Sequence, residues 1–150
     1  MEIRFDNKTA LVTGSTLGIG YATALELARS GAAVTINGRS QSSVDQALTS
    51  LRREAPDAAI DGVAADLATA QGCEALLAHL PAVDILVNNM GVYATQDFFE
   101  IADEEWDRFF QTNVMSGIRL ARAYTPGMVD KGWGGSCLCR LNQASIFRRK

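Results

Sequence analysis

The sequence is short of most features that mark a specialised architecture. Proline and cysteine each occur three times and histidine once in 150 residues. An odd number of cysteines is a poor disulfide framework and suits a reducing compartment, so a cytoplasmic setting is expected. Cys137 and Cys139 are close in sequence, but no histidine or further cysteine stands near enough to complete four ligands; no metal is expected. No apolar run nears the roughly 18 residues of a membrane span, so no membrane is expected as a partner. The opening Met1-Glu-Ile-Arg-Phe-Asp-Asn lacks the apolar core of a secretory leader. With a formal net charge of −3, nothing electrostatic draws the chain to nucleic acid or an anionic surface. Internal repeats and low-complexity stretches are also missing.

What remains is the composition of an ordinary globular domain, 47% apolar and 21% charged, long enough to bury a core. Short aliphatic runs alternate with helix-like segments. Residues 9–13, 33–37, 59–64 and 84–88 read as buried strands bounded by turn residues. Residues 19–30, 42–55 and 70–80 between them have helical length, with Gly31, Pro56 and Pro81 as stop signals. Such alternation implies right-handed crossovers and a parallel sheet covered on both faces. The expected architecture is α/β, a doubly wound parallel sheet.

A longer helix is expected over residues 103–124, with Asp103, Glu104 and Glu105 in its first turn. Its predicted core stripe is Trp106, Phe109, Phe110, Val114, Gly117, Ile118 and Ala121. Asn113 falls within that stripe and needs buried partners or a use.

The strongest chemical signal is Thr13-Gly14-Ser15-Thr16-Leu17-Gly18-Ile19-Gly20, between the first strand and the first helix. Glycines there let the backbone approach a pyrophosphate, whose charge then rests on the helix N-terminus. The spacing is G-x-x-x-G-x-G rather than the general G-x-G-x-x-G. Asn88-Asn89-Met90-Gly91 closes the fourth strand, where parallel sheets bind ligands, although Asn and Gly also make plain turns. Asp66-Leu67 follows the third strand, as a helix cap or an adenine contact.

Taken together and in this order, these residues resemble the short-chain dehydrogenase/reductase family of the short cytosolic type. The resemblance runs from about Phe5 to Gly134. The family's glycine motif matches Gly14, Gly18 and Gly20, and its Asn-Asn-Ala-Gly motif matches Asn88, Asn89 and Gly91 with Met90 in place of Ala. Its adenine-contacting pair matches Asp66-Leu67, and the Asn of its catalytic tetrad matches Asn113. The resemblance implies a dinucleotide held by Thr13, Gly14, Ser15, Gly18, Ile19, Gly20, Arg39, Ser40, Asp66, Leu67, Asn88, Asn89 and Gly91. It also implies a Rossmann-type doubly wound sheet in order 3-2-1-4, here incomplete at the first four strands of about seven, a small carbonyl or alcohol substrate and a homo-oligomer. The second strand ends Asn37-Gly38-Arg39-Ser40, without the carboxylate that holds an NAD ribose. Arg39 can instead pair with a 2′-phosphate, assisted by Ser40, so NADP(H) is expected over NAD(H).

The family pattern breaks after Gly134. It implies a fifth strand, then a catalytic Ser, then Tyr-x-x-x-Lys, and the chain holds no Tyr after Tyr124. Residues 1–134 therefore read as the nucleotide-binding portion, and residues 135–150 as an unstructured, out-of-frame tail. In one synonymous coding, a base restored at the start of codon 135 makes the following codons read Val-Val-Phe-Val-Ser-Ser-Glu-Ser-Gly-Leu-Asn-Ile-Pro-Ala-Glu. That is an apolar strand followed by Ser-Ser; a natural coil tail is the alternative. The expected function is that of an NAD(P)(H)-dependent carbonyl reductase or alcohol dehydrogenase lacking its catalytic Ser, Tyr and Lys. A non-catalytic dinucleotide-binding fragment is one alternative. A Rossmann-type methyltransferase is another, disfavoured by the glycine spacing and the Asn-Asn motif.

Overall fold

A computed structural model describes residues 3–93 and 96–139. Three β-α units open the chain: β1 (Thr9–Val12), α1 (Gly18–Arg29), β2 (Ala33–Gly38), α2 (Gln41–Glu54), β3 (Ile60–Ala64) and α3 (Ala70–His79). They are followed by β4 (Ile85–Asn88), a single 3-10 turn at Phe98–Glu100, α4 (Asp103–Phe110), α5 (Ser116–Asp130) and β5 (Gly135–Leu138). All strand pairs are parallel, in the order β3-β2-β1-β4-β5. The α/β reading thus holds, and the strand order reverses between β1 and β4.

The two faces of the sheet follow from the two-residue period of a strand. Ala10 and Val12 of β1 join Val34, Ile36, Ala24 and Leu51 on the face covered by α1 and α2. Leu11 between them joins Leu86, Leu76, Leu120 and Tyr124 on the face covered by α3 and α5. Strands buried from both sides need continuous aliphatic runs, which is why they read clearly in the sequence. Ser40 and Thr69 cap α2 and α3, their side chains accepting from Ser43 N (3.3 Å) and Gly72 N (3.0 Å).

Two expectations are corrected. The sheet does not end at β4, because Gly135–Leu138, within the tail expected to be unstructured, forms β5 beside it. The row of backbone groups on the edge of β4 accounts for this, since a strand edge pairs through the main chain whatever the side chains are. Gly135 N donates to Asp84 O (3.0 Å) and Cys139 N to Asn88 O (2.9 Å), while all four residues of β5 stay exposed. Residues 140–150, the rest of that expected tail, lie outside the described residues.

The long helix is also not continuous. A five-residue π turn, Gln111–Met115, separates α4 from α5, and helix continues to Asp130 through Pro126. A π turn inserts a residue into the helical period and rotates everything beyond it. The buried face is consequently Thr112, Ser116, Gly117, Leu120, Tyr124 and Met128. Of the predicted stripe only Gly117 is buried; Trp106, Phe110 and Ile118 are exposed. Asn113 is likewise exposed rather than inside the stripe.

Asp84 is a buried carboxylate at the amino ends of the strands. It accepts from Thr9 N (2.9 Å), Thr9 Oγ1 (3.1 Å) and Lys131 Nζ (3.3 Å), joining β1, β4 and the end of α5. The Thr9 backbone N–H, helped by the Thr9 hydroxyl and Lys131, holds its carboxyl below the usual carboxylate range. A depressed carboxylate stabilises the fold above its unfolded pKa of about 4 and loses that contribution as pH falls through the folded value. Asp84→Ala should therefore cost about 1–3 kcal/mol at pH 7. The gap between the urea midpoints of variant and parent should narrow as pH falls below about 4. A gap that stays constant down to pH 3 would show that the charge of Asp84 is not what stabilises the fold.

Candidate functional site

The loops leaving the carboxyl ends of β1, β2, β3 and β4 meet at the reversal of strand order, the position where open parallel sheets bind ligands. A cavity of about 770 Å³ lies at the opposite strand ends and is lined by residues such as Asn7, Lys8 and Arg29. It holds none of the candidate residues.

The glycine loop is shaped by contacts that a side chain would break. Gly14 has φ +57° and Gly18 has φ +61°, conformations that favour glycine. A Cβ on Gly14 would stand 3.1 Å from Met90 Cα, and one on Gly20 would stand 2.6 Å from Gly14 O and overlap Asn89 Nδ2. A Cβ on Gly18 would meet nothing within 4 Å, so that glycine faces open space. Behind it the N-terminus of α1 has no side-chain cap, unlike α2 and α3. Its first N–H groups consequently face the loop with their partial positive charge unopposed.

Thr13 and Ser15 brace this loop from within. Thr13 Oγ1 accepts from Asn89 N and Met90 N, both at 3.0 Å. Ser15, fully buried, donates to Val12 O (2.6 Å) and accepts from Asn37 N (3.0 Å). Asn89 Nδ2 donates to Thr13 O (3.1 Å) and Gly14 O (2.9 Å), lacing the turn after β4 to the glycine loop. Leu17 and Ile19 project from the loop as exposed apolar side chains.

The remaining candidates line the same edge. Arg39 is exposed and has no hydrogen bond or ion pair among the described residues. Ser40 beside it is occupied as the cap of α2, and also donates to Ser43 Oγ (2.9 Å). The capping of α3 falls to Thr69, whereas Asp66 Oδ1 accepts from Ala68 N (3.1 Å) in a turn. Leu67 is wholly buried beneath that turn. Asn88 is buried, and its Oδ1 has no hydrogen-bond partner among the described residues. Asn113 accepts from Val92 N (2.7 Å) and donates to Val92 O (2.9 Å), with Gly91 alongside. The π turn thus grips the segment that follows Gly91.

Two residues passed over in the sequence reading join this construction. Arg119 on α5 donates to Gln111 Oε1 (2.7 Å) and Ala68 O (3.4 Å), linking the π turn to the loop after β3. Asn37 is a buried amide next to the end of a largely aliphatic strand, a signal that could have marked it. No group of acidic, histidine or cysteine side chains among the described residues could hold a metal ion. No helix among them is long and apolar enough to cross a membrane.

The profile of the short chain dehydrogenase family matches residues 8–137. The chain belongs to that family. It is therefore kin to oxidoreductases that use a nicotinamide dinucleotide. The oxidoreductase YvaG of Bacillus subtilis is 48% identical over 134 residues, covering 89% of this chain and 51% of that protein. The 3alpha-hydroxysteroid dehydrogenase of Mediterraneibacter gnavus is 35% identical, covering 98% of this chain and 60% of its own length. The structure of L-sorbose reductase from Gluconobacter frateurii, complexed with NADPH and L-sorbose, superimposes with a TM-score of 0.84 at 34% identity. It covers 92% of this chain, which spans 54% of that one. The chain thus spans about half the length of the relatives it matches.

Proposed function

We propose that this chain is the NADP(H)-binding portion of a carbonyl reductase or alcohol dehydrogenase, and that by itself it binds the cofactor without turning over a substrate. The observation that carries the binding half is the glycine loop. It pairs left-handed Gly14 and open Gly18 with an uncapped helix N-terminus, a fit for a pyrophosphate. The cofactor, when bound, supplies or accepts hydride at its nicotinamide ring. Thr13, Ser15 and Asn89 keep the loop in shape, Gly14, Gly18, Ile19 and Gly20 receive the diphosphate, and Asp66 and Leu67 border the adenine. Asn88, Asn89 and Gly91 border the nicotinamide ribose. Asn113, the tetrad member present, steadies the segment beside them. The absent half of this reading is chemical: no Tyr-x-x-x-Lys occurs in the sequence.

NADP(H) is preferred over NAD(H) in this reading. Arg39 stands exposed without an anionic partner at the end of β2, and no carboxylate accompanies it there. Ser40 contributes through the α2 N-terminus that it caps. Arg39→Asp should weaken NADPH binding about 10–100-fold, through lost charge-assisted hydrogen bonds and new repulsion, and NADH binding by no more than about threefold. Equal losses in a fluorescence titration would remove Arg39 from this role.

The same reading gives the full-length relative a small carbonyl or alcohol substrate, a cytoplasmic setting consistent with the free thiols, and a homo-oligomeric state. It also keeps residues 1–134 as the binding portion and the rest as out of frame. In support, β5 pairs through its backbone but brings no buried side chain to the sheet. The restored frame would supply apolar residues at those positions.

A further inference from the structure

We infer that Asn37 is a positioning residue for the bound cofactor, one that fixes the adenosine end of the cleft relative to the diphosphate loop. The inference rests on the nucleotide-binding reading above. Asn37 sits at the end of β2, 1% exposed, and its polar groups join three segments. Its side-chain Oδ1 accepts from Gly14 N (3.4 Å) in the glycine loop. Its Nδ2 donates to Val63 O (3.2 Å) and Ala65 O (3.1 Å), at the end of β3, and to Gly38 O (3.4 Å). Its backbone N–H donates to Ser15 Oγ (3.0 Å) and its carbonyl accepts from Ser15 N (2.9 Å).

The orientation of the amide is dictated by these neighbours. Gly14 N is a donor and needs the oxygen, whereas Val63 O and Ala65 O are acceptors and need the NH₂ group. An asparagine is suited to this place because it carries both functions on one short, planar side chain. Aspartate keeps the link to Gly14 but sets a carboxylate against the carbonyl oxygens of Val63, Ala65 and Gly38. The segment released is the one leading into Asp66 and Leu67, while the glycine loop keeps its bond. Loss of Asn37 should therefore act on the adenosine end of a bound dinucleotide more than on its nicotinamide end.

Saturation-transfer NMR of NADP⁺ on the full 150-residue chain reads the two ends separately in one experiment. With the parent chain, both adenine H2/H8 and nicotinamide H2/H6 should receive saturation. With Asn37→Asp, adenine saturation relative to nicotinamide should fall at least threefold. Asn37→Thr, which retains one donor and one acceptor on a strand-forming side chain, should give an intermediate ratio and covers the case in which the aspartate variant does not fold. A merely structural role lowers the folded fraction and scales both ends together, leaving the ratio unchanged; that result overturns the inference while sparing the binding reading. No transfer to any NADP⁺ proton from the folded parent chain overturns the binding reading and the inference with it.

Discussion

Offered NADPH and a panel of small ketones, aldehydes and acyl thioesters, the 150-residue chain should oxidise the cofactor no faster than a blank. Hydride delivery to a carbonyl creates an alkoxide that needs a proton near neutral pH. A positioned acid is worth about 10²–10⁴-fold in rate, and an unassisted tyrosine, with a pKa of about 10, is a poor one. Tyr124 is buried with its hydroxyl donating to Leu80 O (2.7 Å), and burial pushes its pKa up to about 12. Tyr21 donates to Glu54 (2.6 Å) between α1 and α2, and burial together with that carboxylate holds its pKa above the usual tyrosine value. Tyr93 is exposed just beyond the segment held by Asn113, but no lysine stands beside it in the sequence. Lys8 lies over the Trp133 ring and Lys131 meets Asp84, both at the amino ends of the strands. Turnover above the blank, by absorbance at the reduced nicotinamide band, would refute the claim. A frame-corrected chain that carries the Ser and Tyr-x-x-x-Lys segments should gain activity on the same panel.

The second large effect belongs to Gly20. A valine there must drive its Cβ into Gly14 O and Asn89 Nδ2, with Ser15 Cα at 2.9 Å. Two of those three atoms are backbone and cannot swing aside, so the loop and its seam with the β4 turn have to separate. NADPH affinity should fall at least about 100-fold, or about 2.7 kcal/mol. Gly127→Ala is the matched control, since a Cβ there meets nothing within 4 Å and alanine favours a helix. It should bind as the parent does. Unchanged binding by Gly20→Val in a fluorescence titration would refute the cradle assignment.

The first four strands and three helices were legible because their signals are local. Each strand is an aliphatic run buried on two faces, and each helix ends at a breaker. The candidate residues also emerged together, since loops at one sheet edge follow from the strand order. The stripe of the long helix did not: α4, ahead of the π turn, buries none of its residues, and the π turn at Gln111–Met115 has no side-chain signature and displaces every later residue on the helix face. β5 escaped notice for the opposite reason: Gly-Ser-Cys-Leu has no strand pattern, and main-chain pairing with β4 holds it. Ser15 and Asn37 were legible as positions but not as buttresses. Their worth lies in which backbone groups they satisfy, and that is set by parts of the chain remote in sequence.

The union of β1 and β4 has a consequence in time as well as in space. Thr9 meets Asp84 across 75 residues, and Asn89 meets Thr13 across 76. β1, β2 and β3 join through shorter crossovers, so the long loop closes at a greater entropic cost and against slower search. The nucleotide cleft straddles this most distant junction, with the glycine loop on one bank and the Asn88-Asn89 turn on the other. A nascent chain has no cleft until β4 has emerged and docked. The moment of cofactor capture is thus bound to completion of the sheet, and a dinucleotide spanning both banks becomes a latch on the slowest contact to form.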